Sequence, residues 1–342
     1  MKAVLCRELR GTQGLHLEEI AEARGSSCRV LVRVQAAGVN FLDGLIISGQ
    51  YQSTPALPFV PGCEVSGVIV DVGSEVKALQ LGMRVLAFTG LGAFAESVSL
   101  DPWRVFPIPD AMDFSTAAGF LVTYGTSHHA LKDRAALRAG ETLVVLGAAG
   151  GVGLAALEIG KVMGAHVIAV ASSDEKLALC RRHGADAVIN YATEDLRARV
   201  KALTQGKGVD VVFDPVGGQY SEPMVRSLRH NGRYLVVGFA AGSIPKIALN
   251  LILLKMASLI GVYWGAFAEA EPQRASDNIA ELMKWYGAGL LRPHVAVQYP
   301  ITAFRDALED VIQRRAMGKV ILVMDPSHSE LAARSTHTAA PS

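Results

Sequence analysis

Between Glu141 and Lys176 the chain reads ETLVVLGAAGGVGLAALEIGKVMGAHVIAVASSDEK, and this stretch constrains the fold more than any other. Thr142–Leu146 is an apolar run of strand length. It ends in Gly147-Ala148-Ala149-Gly150-Gly151-Val152-Gly153, and Leu154–Met163 continues at helical spacing until Gly164 stops it. His166–Ala171 is a second apolar run. A strand, a glycine turn, a helix and a strand within about 30 residues make a βαβ unit of dinucleotide-binding type. Gly150 lets the backbone approach a pyrophosphate, Gly153 lets the helix lie tight on the strand, and the helix start offers free N–H groups and a positive dipole end. The pattern departs from G-x-G-x-x-G at its first glycine, where Ala148 stands beside Gly147. A purely structural glycine turn is the plain alternative.

The end of the second strand bears on which dinucleotide fits. NAD sites place a carboxylate there, on the ribose 2′-hydroxyl. Here Ala171 is followed by Ser172, Ser173, Asp174, Glu175 and Lys176. Hydroxyls and a lysine accept a 2′-phosphate that a carboxylate at the ribose would repel. The expectation is NADPH, held by Ser172 and Lys176. Asp174 is close enough to turn in, and Lys176 can also be read as a solvated helix position.

At 342 residues the chain exceeds what one core fills, so two domains are expected. Half its residues are apolar and 19% are charged, the balance of an α/β protein with buried parallel strands. A net charge of +1 without a long Lys/Arg cluster recommends neither nucleic acid nor an anionic membrane as partner. Met1–Leu5 runs into Cys6-Arg7-Glu8 and does not read as a signal peptide, and Lys255 interrupts the apolar Ile247–Val262. The expected setting is cytoplasmic. Cys6, Cys28, Cys63 and Cys180 are too scattered for a zinc ribbon or a disulfide framework, which leaves buried reduced thiols.

Residues 1–121 read as short strands between glycine corners, a compact barrel-like domain, with Arg29–Gln35 alternating as a half-buried strand. Several of its segments carry a resemblance. Gly38-Val39-Asn40-Phe41-Leu42-Asp43, Tyr51, Leu57-Pro58-Phe59-Val60-Pro61-Gly62 with Glu64, and Ala149–Gly153 resemble the medium-chain dehydrogenase/reductase superfamily. More closely, they are similar to its zinc-independent quinone oxidoreductase, zeta-crystallin-like branch, from Met1 to about Asp325. The resemblance implies an α/β fold, with a doubly wound parallel Rossmann sheet beside a β-rich, GroES-like barrel. The expected division is 1–121 with 265–325 and 122–264, and 326–342, rich in Ser, Thr, Ala and His without an apolar period, reads as a disordered tail.

In the zinc members of the superfamily a cysteine stands where Asn40 is and a histidine where Cys63 is. Asparagine is a poor zinc ligand, and one thiolate with Glu64 leaves a tetrahedral set incomplete. The expectation is a metal-free enzyme. His128 and His129 are adjacent on a helix, point about 100° apart, and form no joint ligand face. The resemblance places Thr126 near the nicotinamide, where an ordinary helix hydroxyl is the alternative.

Beyond the fingerprint, Ala187–Asn190, Val209–Phe213, Arg233–Gly238 and Ser258–Val262 read as further strands, with helices over Glu194–Leu203 and Tyr220–Leu228. Together with the first two strands they make a six-stranded doubly wound sheet, whose ligands lie at the carboxyl ends. Tyr191, Gly217-Gly218, Gly238-Phe239 and Val262-Tyr263-Trp264 stand at those ends. The resemblance implies contacts there to adenosine, ribose or nicotinamide; Tyr191 can equally be an aromatic capping the sheet. Pro272–Gly287 reads as a helix, Pro300–Leu308 leads into another, and the strand after Arg314-Arg315 returns to the first domain. The resemblance sets an arginine here against the cofactor phosphate; both fit, Arg315 is preferred, and a solvated basic turn is the alternative.

A reduced nicotinamide without a Lewis acid suits acceptors already activated by conjugation: quinones, enones, enals or acrylate-like thioesters. No Tyr-x-x-x-Lys of a short-chain reductase occurs. The expectation is an NADPH:quinone reductase in which Tyr51 and Asn40 are the polar groups of the cleft. Reduction of activated C=C bonds on the same site is the second reading, and a cofactor-binding structural or regulatory role the third. The plain alternatives are an Asn40 that pins a loop to the carboxamide and a Tyr51 that packs at the cleft mouth. Ser258–Val262 reads as an apolar edge strand that something must cover, and the resemblance implies a homodimer in which two such strands pair across a two-fold axis; a helix over Leu249–Lys255 covering its own sheet is the alternative.

Overall fold

The computed structural model describes residues 1–52 and 54–324, so the tail 326–342 lies outside the described residues. β1 (Lys2–Cys6) and β2 (Leu15–Glu19) pair as an antiparallel ribbon. β3 (Val30–Val39), β4 (Glu64–Val72), β5 (Arg84–Phe88), β6 (Ser97–Leu100) and β7 (Val105–Pro107) follow. The chain returns with β14 (Val295–Pro300) and β15 (Lys319–Val323) to give the sheet order β14-β15-β3-β4-β5-β7, with β6 paired to β3. β3 is the hinge of this barrel-like sheet. Its first half, Val30–Arg33, pairs with β6, and its last residues, Ala36–Val39, pair with β15. Register shifts against β4 at Leu31/Val32 and Val34/Ala36 turn the strand between those partners.

The second sheet holds β8 (Thr142–Leu146), β9 (His166–Ala171), β10 (Ala187–Asn190), β11 (Val209–Asp214), β12 (Leu228–Val236) and β13 (Ser258–Gly261). Its order is β10-β9-β8-β11-β12-β13, every pair parallel. All six expected strands form, and the order reverses at β8/β11, the place where a doubly wound sheet opens its ligand crevice. β11 is buried along its whole length, as a central strand covered on both faces is, with Asp210 and Asp214 buried among its Val and Phe side chains.

Among the boundaries that differ from the sequence reading, two stand out. The first crossover helix begins at Gly151 rather than Leu154, because the glycine turn already carries helical backbone. β12 begins at Leu228, which pairs with Val209. The polar Arg229-His230-Asn231 then leaves the ladder, with Asn231 at φ 60°, and pairing resumes at Arg233. A polar, turn-like segment concealed the early start.

The helices Trp264–Ala270 and Pro272–Gly287 bury Trp264, Phe267, Ala275, Ile279 and Leu282 in the core that also holds Leu121, Tyr124 and Leu157. Leu249–Lys255 does fold as a helix, but only Leu251 is buried. Leu249, Leu253 and Leu254 are each 76% exposed, so the segment covers its own sheet only with Leu251 and the partly buried Ile252 and leaves an apolar face outward.

Candidate active site

The glycine turn is built as the fingerprint requires. Gly147 takes φ +57° directly after β8, and Gly150 N–H donates to Gly147 O at 3.0 Å. A Cβ at Gly153 would lie 2.3 Å from Gly147 O and 2.7 Å from Ala148 Cα, which no side chain tolerates. A Cβ at Gly150 would meet only Gly147 O, at 3.4 Å, so its outer side is open. The helix Gly151–Val162 starts there with no side-chain cap, leaving its positive end for an anion. Ala149 lies below the turn, where its carbonyl accepts Gly318 N–H at 2.9 Å, and Val152 is half-buried in the first helical turn.

At the end of β9, Ser173 caps the helix Asp174–Arg182 by accepting Lys176 N–H at 3.4 Å. That cap turns the Lys176 ammonium back to Ser172 Oγ and Arg314 O, both at 3.3 Å. Asp174 does not turn in: its carboxylate accepts from Asn190 Nδ2 at 2.9 Å. Among the described residues, the position therefore offers a hydroxyl and an ammonium held by neutral oxygens, which suits a phosphate monoester. Tyr191 follows β10 with its ring 4.5 Å from that of Tyr220. Arg315 is directed elsewhere, its Nε 2.8 Å from Asp310 Oδ1 and its guanidinium also on Gln313. Arg314 is the member of the pair at this end, through its backbone carbonyl.

The remaining strand ends are organised by a residue the sequence reading passed over. Asp214, buried at the end of β11, accepts from Val216 N at 2.7 Å, Gly217 N at 2.8 Å and Ser221 Oγ at 3.0 Å, and from the Tyr234 hydroxyl. It thereby fixes the turn in which Gly217 and Gly218 both take positive φ, and Phe239, after Gly238, lies over Gly217. Past β13, Val262 N–H continues the ladder to Val236 O. Trp264 is buried edge-on to Phe88, with centroids 5.1 Å apart, and presses on Gly125, next to the half-buried Thr126. Tyr263 stays exposed.

Opposite these ends lies a buried polar cluster. Asn40 follows β3, and its Nδ2 donates to Glu64 Oε1 at 3.0 Å, Gly38 O at 3.3 Å and Cys63 Sγ at 3.4 Å. Its Oδ1 accepts from Lys319 Nζ at 2.5 Å, and Lys319 also lies 2.6 Å from Glu64 Oε1. Asp43 accepts Asn40 N–H at 2.8 Å. Burial pushes the Asp43 carboxyl up to about 7 against the opposing pull of that N–H and of Lys319. Burial, reinforced by Asp43 and Glu64, holds the Cys63 thiol well above its ordinary range, which favours its protonated form. Among the described residues, no three His, Cys, Asp or Glu side chains stand together as a metal-holding group. The Tyr51 phenol is raised by burial and by its neighbour Tyr263, and so remains a hydroxyl donor.

Asn40 and Cys63 thus meet at one place, with Tyr51 neighboured by Tyr263, and the Asn40 amide is spent on internal partners rather than left free. Glu64 was legible as the last residue of a Pro-Gly-x-Glu motif and as a companion of Cys63, but Lys319 only as the start of an apolar strand. A lysine directly before Val320-Ile321-Leu322-Val323 reads as a solvated strand end, and only the pairing of β15 with β3 buries it. The histidines separate, as their spacing requires: His128 Nε2 meets Glu281 and His129 Nδ1 meets Asp133, each at 2.8 Å.

Residues 26–110 match the alcohol dehydrogenase GroES-like domain family, and residues 151–281 match the zinc-binding dehydrogenase family. The quinone oxidoreductase-like protein 2 homolog of Nematostella vectensis is 37% identical over 324 residues, 94% of this chain and 88% of that protein. Among solved structures, Escherichia coli quinone oxidoreductase complexed with NADPH superposes with a TM-score of 0.88 at 28% identity, covering 95% of this chain and 100% of that one. The enoyl reductase CurK gives 0.87 at 25% identity, covering 95% and 99%. Glycine turn, barrel-like sheet and overall similarity agree: this chain belongs to the quinone oxidoreductase branch of the medium-chain dehydrogenase/reductase superfamily.

Proposed function

We propose that the chain is a zinc-independent NADPH:quinone oxidoreductase. The observation that carries this reading is the donor set of the buried cluster: an amide, a protonated thiol and a carboxylate already engaged by the Lys319 ammonium. Such a cleft offers orientation and hydrogen bonds, not Lewis acidity, and so matches an acceptor activated by its own conjugation. When bound, NADPH would supply a hydride, which brings both electrons, and a single proton from solvent completes the reduced acceptor. Tyr51, kept as a hydroxyl, donates to the oxygen on which charge develops, while Asn40 shapes the wall beside it. Ser172 and Lys176 take the 2′-phosphate and the turn Ala149–Val152 the pyrophosphate. The relative from Escherichia coli that carries NADPH supports the choice of cofactor.

The likeness to an enoyl reductase favours reduction of activated C=C bonds as the second reading. The division into 1–121 with 265–325 and 122–264 belongs to the same proposal, the helix Pro272–Gly287 packing on Leu121–His128 between the two units. So does a homodimer formed through β13, whose neighbourhood exposes Leu249, Leu253, Leu254, Met256 and Leu259. The four cysteines are free thiols, three of them buried and Cys28 exposed, which suits a reducing, cytoplasmic setting. No helix among the described residues is long and apolar enough to cross a membrane.

Steady-state oxidation of NADPH with a quinone panel, an enal and an acrylyl thioester tests the assignment. Highest kcat/KM with a quinone, unchanged after dialysis against a strong chelator, is the expected result. Faster turnover of the enal or thioester transfers the assignment to C=C reduction, and binding without turnover of any acceptor leaves a cofactor-binding role. Stoichiometric zinc lost together with activity refutes zinc independence.

A further inference from the structure

Lys319 opens β15, yet it is only 5% exposed. Its ammonium donates to Val39 O at 3.0 Å and Asn40 Oδ1 at 2.5 Å and pairs with Glu64 Oε1 at 2.6 Å. Three donors meet three acceptors, so none is left for a substrate. Because a lysine cannot accept, the Asn40 oxygen must face it and the Asn40 nitrogen must face Glu64. The second Glu64 oxygen takes Val122 N–H at 2.9 Å, at the start of the helix Leu121–His128.

The other end of the same side chain lies on the phosphate turn. A Cβ at Gly119 would meet Lys319 Cγ at 2.5 Å, and one at Gly151 would meet Lys319 Cδ at 3.6 Å. Gly318 bridges Gly150 in parallel and donates its N–H to Ala149 O at 2.9 Å. One stretch of chain, Gly318-Lys319, therefore touches the phosphate turn with its backbone and stem, and the Asn40 amide with its charged tip.

We propose that Lys319 is a positioning residue that sets the orientation of the Asn40 amide and Glu64 carboxylate and ties it to the conformation of the glycine turn. The proposal rests on the reading of this site as an NADPH site. Its physical basis is that a buried ion pair adds little net stability over a well-packed neutral pair but fixes geometry when every donor is matched. Without the ammonium, nothing compels the Asn40 oxygen to face β15, and the wall beside the nicotinamide loses its single arrangement.

The test is the double variant Lys319→Met with Glu64→Gln, which removes both charges so that neither is stranded. Methionine keeps the unbranched stem over Gly119 and Gly151, and glutamine can still accept from Val122 N–H. We expect near-wild-type thermal stability, and a Kd for 2′-phospho-ADP-ribose, which lacks the nicotinamide, within about twofold of wild type. The Kd for NADPH, read by nicotinamide fluorescence, should rise at least about fivefold, and kcat at saturating NADPH should fall at least about tenfold. Asn40→Ala should reproduce that pattern, and adding it to the double variant should cost nothing further.

A folded double variant with wild-type NADPH affinity and kcat overturns the proposal, as does equal weakening of NADPH and the fragment. If the double variant does not fold, Asn40→Ala alone decides, since it leaves the ion pair intact: unchanged NADPH affinity and kcat there also overturn it. Wild-type protein that binds neither ligand refutes the cofactor reading itself, a result distinct from the others.

Discussion

Lys176→Ala should convert the preference for NADPH into near indifference between NADPH and NADH. In the folded protein Lys176 Nζ has two neutral partners at 3.3 Å, Ser172 Oγ and Arg314 O. Bonds of that length to neutral oxygens contribute little to stability, so the substitution should leave the fold intact. A 2′-phosphate would be an anionic partner for this ammonium, and a hydrogen bond to a charged group is worth roughly 1.5–3 kcal/mol. Lys176 is half-buried, and solvent screening puts the expected loss at the lower end, about 1.5 kcal/mol, or roughly tenfold in Kd. Fluorescence titration with NADPH and NADH at low and moderate ionic strength measures it. The NADPH Kd should rise by that factor, the NADH Kd should hold within about twofold, and salt should shrink the wild-type preference but not the variant's. Parallel weakening of both cofactors, or equal wild-type affinity for the two, would refute the placement of the phosphate.

Further outcomes concern Asp43 and assembly. Burial raises the folded-state pKa of Asp43 to about 7, so its contribution to stability is complete in acid and is lost as pH rises through about 7. Wild type should therefore lose stability relative to Asp43→Asn from about pH 4 to about pH 7, by at most ~1.4 kcal/mol per pH unit, and level off above that, in urea melts across the range. A pH-independent difference contradicts the shift. Leu259, 40% exposed on the edge strand β13, should lie in the dimer interface. Leu259→Lys should give a monomer by sedimentation equilibrium while NADPH still binds, whereas a monomeric wild type at micromolar concentration ends the dimer proposal.

The sequence by itself determined the cofactor half of this protein. Strand, glycine turn, helix and strand are set by local pattern, and Thr142–Leu146 through Ala171 folds as that pattern demands because its constraints lie within one βαβ unit. The glycine positions and the absence of an acid at Ala171 are likewise properties of single residues, and Ser172 and Lys176 meet because they are four apart about one helix start. Tyr51, Asn40 and Tyr263 could be named from the resemblance, but not what their polar atoms touch.

Tertiary structure alone decided the rest. Asp174 was free to reach the ribose until Asn190, on the neighbouring strand, took its carboxylate, and Arg315 was a candidate until Asp310 took its guanidinium. Lys319 stands 279 residues from Asn40, and nothing in the composition of Met317-Gly318-Lys319-Val320 announces a buried charge. That contact exists because β15 pairs antiparallel with the end of β3, with Val320 opposite Val39. Local propensity writes the elements. The register between distant strands brings Lys319, Glu64 and Asn40 together, and the free energy that fixes this register comes from the apolar side chains around them, not from the polar groups it assembles.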